Sequence, residues 1–303
     1  MVQVGANPKE SEVFMTGTLH LDDITIDRII EDEYSFESAR VFFPTLTESQ
    51  LAESRSWMRT FGLDEQDQIV LCFQSYVVRT PHHTILVDTC IGNDKFRPGR
   101  RRPLITHTKW MDGLAALGLT LADIDIVMCT HLHVDHVGWN TRLLKGRWVP
   151  TFPNARYLFS KKEFDYWKQR NDVTTVPYFE DSVLPIVAAG QHQMVSSTLE
   201  LNDYVRLMPT PGHTPDHFSV AVGNGRDAAV LTGDLFHSPL QVRYPELSIR
   251  SDFDPQLGIQ SRRSFLERYC DTDTICCTGH FSSPSRMRVR RSADGFRCDP
   301  VND

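Results

Sequence analysis

No stretch of this 303-residue chain approaches the roughly 20 consecutive apolar residues that a membrane-spanning helix needs, so no membrane partner is expected. Long basic tracts are missing too. The triplet Arg100-Arg101-Arg102 is too short to argue for nucleic acid and reads as a solvated loop, and no stripe interleaves aromatic with basic residues. Net charge is −7. Seven cysteines are present, an odd number with no CxxC spacing, which speaks against a disulfide framework and a zinc ribbon. They read as reduced thiols, mostly in the core, of a cytoplasmic protein. Cys276 and Cys277 are adjacent on an expected strand and should point to opposite faces. Cys90 is expected to be structural. The first ten residues lack a charged segment followed by an apolar one, so no secretory signal is expected.

What is present is concentrated chemistry. Residues 131–136 read His131-Leu132-His133-Val134-Asp135-His136, directly after the apolar run Ile124-Asp125-Ile126-Val127-Met128-Cys129-Thr130. Imidazole and carboxylate are ligands for zinc and similar first-row metals. On one helix His131, His133 and His136 would point to different faces, so the cluster reads as a loop at a strand end, wrapped round a metal. Four other ligand-type residues occupy the same context of a short apolar strand followed by a turn. They are Asp88 after Thr84-Ile85-Leu86-Val87, His213 in Thr210-Pro211-Gly212-His213-Thr214, Asp234 after Val230-Leu231-Thr232-Gly233, and His280 after Cys276-Cys277-Thr278-Gly279. In three of them a Gly precedes the ligand, permitting the backbone conformation that aims a side chain out of a strand end.

Taken in order, Asp88, the 131–136 motif, His213, Asp234 and His280 resemble the metallo-β-lactamase fold superfamily over about residues 71–281. The resemblance implies that His131, His133 and His213 hold one metal, that Asp135, His136 and His280 hold a second, and that Asp234 bridges both. It also implies that Asp88 orients a ligand by hydrogen bonding. The ligand type favours two divalent zinc ions, with manganese, iron or cobalt also suited to the set.

Ligands scattered from residue 88 to 280 imply one domain over 1–303, with an N-terminal extension at about 1–67 and a C-terminal hairpin at about 284–303. The patterning predicts strands over 19–30, 68–78, 84–89, 156–159, 205–209, 218–222 and 228–232. It predicts helices over 108–117, 160–169, 179–189 and 255–269, the last capped by Asp254. Residues 286–290 and 295–298 read as a terminal hairpin. The class is α+β, and the order suits the αββα sandwich of two mixed sheets flanked by helices that the resemblance implies.

Two divalent ions about 3.5–4 Å apart can share a water and lower its pKa toward ~7, so the expected activity is hydrolysis by a metal-bridging hydroxide. Asp135 and His237 are the expected proton-handling residues beside the bridging Asp234. Oxygen-reducing members of the resembled superfamily carry Glu where this chain has His133, true β-lactamases generally lack the bridging carboxylate, and its nucleases carry added RNA-recognition segments. The nearest resemblance is to the N-acyl homoserine lactonase and methyl parathion hydrolase branch, carried by Val87-Asp88-Thr89-Cys90-Ile91-Gly92-Asn93-Asp94-Lys95 and Gly233-Asp234-Leu235-Phe236-His237-Ser238-Pro239-Leu240-Gln241. Lactonases of that branch have a Tyr three residues after the bridging Asp, where this chain has His237. An imidazole there can still donate a hydrogen bond or a proton near neutral pH. The expected substrate is a small hydrophobic lactone, ester or aryl phosphotriester, with Trp139 and Phe236 as preferred pocket residues. Hydrolytic dehalogenation of an activated aromatic, hydroxyacylglutathione-type thioester hydrolysis, and metal binding without turnover are the alternatives. A homodimer is a further implication of the resemblance.

Overall fold

Short apolar strands ending in turns account for most of the architecture. A computed structural model describes residues 17–99 and 101–301. Arg100 of the arginine triplet, residues 1–16 of the expected N-terminal extension and residues 302–303 lie outside that description. In chain order the first half contributes β1 (Leu19–Leu21), β2 (Ile24–Ser38), β3 (Gln68–Arg79), β4 (Thr84–Val87), β5 (Ile126–Met128), a small hairpin of β6 (Thr141–Leu144) and β7 (Arg147–Pro150), then β8 (Arg156–Ser160) and β9 (His192–Val195). Seven of these form one sheet in the order β1-β2-β3-β4-β5-β8-β9, antiparallel as far as β4 and parallel from β4 to β9.

The second half contributes β10 (Glu200–Asn202), β11 (Val205–Pro209), β12 (Phe218–Val222), β13 (Ala229–Leu231), β14 (Ile275–Cys277), β15 (Arg286–Ser292) and β16 (Gly295–Pro300). They pair in sequence order, and only β13 and β14 run parallel. The expected hairpin over 286–298 is β15 and β16, joined by a two-residue turn at Ala293-Asp294.

Strand alternation explains the layering. Ile126 and Met128 of β5 join Ile85, Val87, Val220, Leu231 and Cys277 in a core between the sheets, while Val127 faces the other way. Val127 packs with Trp110, Leu114, Trp167, Phe179 and Ile186 from α3 (Lys109–Ala116), α4 (Lys161–Val173), α5 (Pro177–Ser182) and α6 (Leu184–Ala188). On the second sheet Val230 and Cys276 meet Val242, Phe265 and Leu266 from α7 (Leu240–Arg243) and α8 (Pro255–Tyr269). The layers are therefore helix, sheet, sheet, helix, and Cys276 and Cys277 face opposite sides of their strand as the alternation requires. All seven cysteines are free, and Cys90 is buried with its Sγ 3.3 Å from Ser75 Oγ.

Local rules set the helix ends. Asp254 Oδ1 accepts the N–H of Leu257 at 3.0 Å and Pro255 occupies the first turn of α8, where its missing N–H is harmless. The helix predicted over 179–189 is broken at Val183 into α5 and α6. Pro185 disfavours a helical residue before it and supplies no N–H, which explains the break. The strand predicted over 19–30 is a hairpin turning at Asp22, which holds a φ of 54°. Before β3 the chain adds α1 (Ala39–Phe42) and α2 (Glu48–Met58). Helix α2 opens with a Thr47–Gln50 capping box that the sequence reading passed over. Among the described residues no helix is long and apolar enough to cross a membrane.

Candidate metal centre

Parallel pairing of β4 with β5, and of β13 with β14, brings four ligand-bearing turns to one edge of the sandwich. Asp88 follows β4, residues 131–136 follow β5, Asp234 follows β13 and His280 follows β14. The turn after β11 supplies His213. Glycine is required where this turn packs: a Cβ on Gly212 would stand 2.1 Å from the backbone N of Gly258. At Gly233 a Cβ would stand 2.6 Å from His217 Nε2, and φ is +52°.

The seven ligand-type side chains converge. His133 Nδ1 lies 3.0 Å from His131 Nε2 and 2.9 Å from His213 Nε2. Asp234 Oδ2 lies 3.6 Å from His131 Nε2 and 3.2 Å from His213 Nε2. Its other oxygen, Oδ1, lies 3.1 Å from both His136 Nε2 and His280 Nε2. His280 Nε2 is 3.8 Å from Asp135 Oδ2. Donors around a tetrahedral zinc at 2.0–2.1 Å stand roughly 3.3 Å apart, so both sets have the spacing that a cation organises. His237 joins them, with Nε2 3.1 Å from Asp234 Oδ2.

Four of the inward-facing imidazoles are held from behind. His136 Nδ1 donates to Asp88 Oδ2 at 2.9 Å, and His131 Nδ1 donates to Thr130 Oγ1 at 3.1 Å, which in turn donates to Asp88 Oδ2 at 2.9 Å. His213 Nδ1 donates to Asp252 Oδ1 at 2.9 Å, and His280 Nδ1 to the carbonyl of Cys72 at 2.9 Å. These bonds fix the tautomers and leave the inner nitrogens as lone-pair donors. Asp234 is positioned through its backbone: its N–H donates to His217 Nε2 at 2.9 Å. Burial pushes His217 down to about 3, which keeps that nitrogen an acceptor.

The electrostatics call for positive charge. Burial opposes the charged form of His136 and His213, yet Asp234 with Asp88 lifts His136 well above its ordinary value, and Asp234 with Asp252 lifts His213 to about 9. Burial alone would raise Asp234, but the imidazoles around it, His136 foremost, hold it well below the usual carboxylate range. His131 and His133 are pushed well below theirs by burial and by neighbouring imidazoles. His136 Nε2 and Asp234 Oδ1 are buried and make no hydrogen bond. A buried polar pair left so is costly unless a cation joins it, and the donor set fits first-row divalent ions. His131, His133, His213 and Asp234 would hold one ion, and Asp135, His136 and His280 with the second oxygen of Asp234 another.

The geometry gathers Asp88, His131, His133, Asp135, His136, His213, Asp234, His237 and His280, and corrects the two expected pocket residues. Trp139 stacks on Trp110 at 5.3 Å and donates its Nε1–H to Glu31 at 2.8 Å, beneath the first sheet. Phe236 is fully buried against Phe265. Closeness in sequence to a ligand does not fix direction: in the turn after Gly233, His237 points to the site and Phe236 to the helix layer. The rings that touch ligands are Phe73 on His280 at 5.4 Å, Phe42 on His237 at 5.9 Å and Trp167 on His133 at 5.5 Å. His217, Asp252, Phe73 and Trp167 were not read as site residues. A signal existed for His217, which repeats the Thr-Pro-x-His pattern of His213 four residues on, but none for Asp252.

Known proteins with this arrangement are numerous. A family model described as the metallo-beta-lactamase superfamily matches residues 74–280. The N-acyl homoserine lactonase AiiA of Bacillus thuringiensis subsp. kurstaki is 24% identical over 216 residues, covering 68% of this chain and 79% of the relative. Among solved structures, the hydrolase AbOPH superposes with a TM-score of 0.80 at 21% identity, covering 95% of this chain and 98% of the other. AidC, a dizinc quorum-quenching lactonase in complex with a product acyl-homoserine, superposes with a TM-score of 0.75 at 21% identity, covering 95% and 97%.

Proposed function

The chain belongs to the metallo-beta-lactamase superfamily as one of its hydrolases, and from that premise we propose that it is a dinuclear, metal-dependent hydrolase of a small hydrophobic lactone, ester or aryl phosphotriester. The observation that carries this reading is the split of Asp234, whose Oδ2 faces His131 and His213 while Oδ1 faces His136 and His280. A carboxylate so placed can serve two ions. Two divalent ions held by these residues would supply hydroxide at neutral pH and polarise a substrate oxygen.

The chain's own residues do the rest. His133 and Asp135 are the least buried of the seven, so they mark the side from which a molecule arrives. Asp135 handles the proton released to the leaving group. His237 touches Asp234 with Nε2, and its Nδ1 is buried without a hydrogen-bond partner. Nε2 faces the centre beside Asp234, and its N–H is our candidate for orienting the substrate's carbonyl or phosphoryl oxygen. Phe42 against His237 and Trp167 against His133 bring apolar surface to the centre, which favours an acyl chain or aryl group over a charged substrate. Two of the relatives, the N-acyl homoserine lactonase AiiA and the lactonase AidC with its acyl-homoserine product, agree with a substrate of this size and polarity.

Metal analysis with and without chelator, followed by a panel of acyl lactones, p-nitrophenyl esters and aryl phosphotriesters, tests the proposal. Two ions per chain and chelator-sensitive turnover of at least one class are expected. Two ions with no turnover on any class would replace it with a non-catalytic, metal-binding role.

A further inference from the structure

Strand β2 carries a buried glutamate that no motif of the site explains. Its pairing with β3 matches Ile30 to Gln74 and Asp32 to Phe73, leaving Glu31 as the extra residue of a β-bulge. A bulge re-aims its side chain, and here the carboxylate points into the protein with no exposed surface. Oε2 accepts the N–H of Ile91 at 2.9 Å, and Oε1 accepts the N–H of Gly92 at 3.0 Å and Nε1–H of Trp139 at 2.8 Å. Burial pushes the carboxyl up to about 7 against the pull of the three donors.

The donors belong to the loop after β4, which carries Asp88, and the loop after β5, which carries His131, His133, Asp135 and His136. The loop after β4 runs from Asp88 to Gly92, and Asp88 and Cys90 both hold positive φ, 58° and 50°. The loop after β5 ends at His136 and continues to Trp139. The two are zipped together. Thr89 N–H donates to the carbonyl of His136 at 2.9 Å, Gly138 N–H to Cys90 at 2.8 Å and Trp139 N–H to Thr89 at 2.7 Å. They also touch backbone to backbone, since a Cβ on Gly138 would stand 2.0 Å from the carbonyl carbon of Ile91. Glu31 closes this zipper at its far end with one bond to the second loop and two to the first.

We propose that Glu31 is a positioning residue for the second ion: by clamping residues 91, 92 and 139 it holds Asp88 and the main chain of His136 where His136 can ligate. This rests on the dinuclear reading above. Glu31 lies outside residues 74–280, so the N-terminal strand is part of the metal-site scaffold rather than an appendage to it.

The test is a calorimetric zinc titration of the stripped full-length protein, wild type against Glu31→Gln, Glu31→Ala and Trp139→Phe, with circular dichroism to verify folding. Wild type should bind two ions in two steps. Glu31→Gln keeps the shape but turns an N–H₂ toward an N–H donor. It should weaken the second step by roughly 10–100-fold, the range for lost outer-shell support, and leave the first within about 3-fold. Glu31→Ala should do the same or more, and Trp139→Phe, which loses one bond of three, less. Should Glu31→Ala fail to fold, the isosteric Gln variant carries the test. A folded Glu31→Gln with an unchanged second step, or with both steps weakened equally, overturns the proposal while the dinuclear reading stands. A wild type that takes up a single ion overturns both.

Discussion

Asp252 Oδ1 accepts a hydrogen bond from His213 Nδ1 at 2.9 Å, and this pair joins residues 39 positions apart at the edge of the metal centre. The N–H of Phe253 donates back to the carbonyl of His213 at 3.0 Å, so the ligand is held by side chain and main chain together. Replacing Asp252 by Ala frees the ring to rotate and to change tautomer. Metal affinity of the His131, His133, His213 set should fall by about 10–100-fold. Zinc titration of the folded variant measures it, and an unchanged affinity would remove Asp252 from the centre's support.

Asp234→Ala removes both bridging oxygens at once. Metal content should drop and turnover should vanish together. Elemental analysis and the substrate panel on the same preparation read both quantities, and full activity in this variant would take the bridge out of the mechanism.

His237 is placed as a substrate-facing residue and not as a necessary ligand. His237→Ala should lower kcat by at least 10²-fold, within the range for removal of a positioned proton donor, with two ions still bound. Loss of an ion in this variant would instead make His237 a ligand.

Chelation should destabilise the fold as well as silence it. Five of the seven ligands are buried, so the ligands of an unfolded chain cannot reproduce the site. An ion present at about 100 times its Kd adds ~2.7 kcal/mol to stability. The melting temperature should fall on adding chelator and recover on adding zinc. A melting temperature indifferent to both would argue against a resident metal.

Lys95 gives a pH prediction away from the metals. Its amine is buried, donates to Thr141 and lies 3.6 Å from the centre of the Trp148 ring. Burial pushes it from its ordinary 10.5 down to about 7. Between those two values the unfolded chain holds the proton and the folded chain does not. Unfolding therefore takes up a proton in that window, and this residue's contribution to stability improves as pH rises from 7 towards 10. Lys95→Met lacks that slope. Its melting temperature relative to wild type should be highest at or below pH 7 and should decline toward pH 10. A pH-independent difference would place the folded pKa near its ordinary value.

Much of the centre was legible because its ligands sit in short local patterns. His131-Leu132-His133-Val134-Asp135-His136 is one loop, and Asp88, His213, Asp234 and His280 each follow an apolar strand. Strands and caps follow from periodicities of two and 3.6, which a chain displays residue by residue, while the αββα arrangement was implied by the family resemblance. The supporting residues have no such signature. Glu31, Asp252 and His217 are single polar residues in unremarkable surroundings, and their roles exist only through partners 60, 39 and 17 positions away. Trp139 and Phe236 were misplaced for the complementary reason: a turn directs neighbouring side chains to opposite sides.

The sequence by itself determined which atoms can bind metal and which strands deliver them, because ligand chemistry and strand alternation are properties of short segments. Tertiary structure alone decided which aromatic rings touch the ligands, which carboxylates stand behind them, and that a bulge in β2 turns Glu31 inward. Those depend on the register and packing of distant strands, where a shift of one residue reverses the face a side chain occupies.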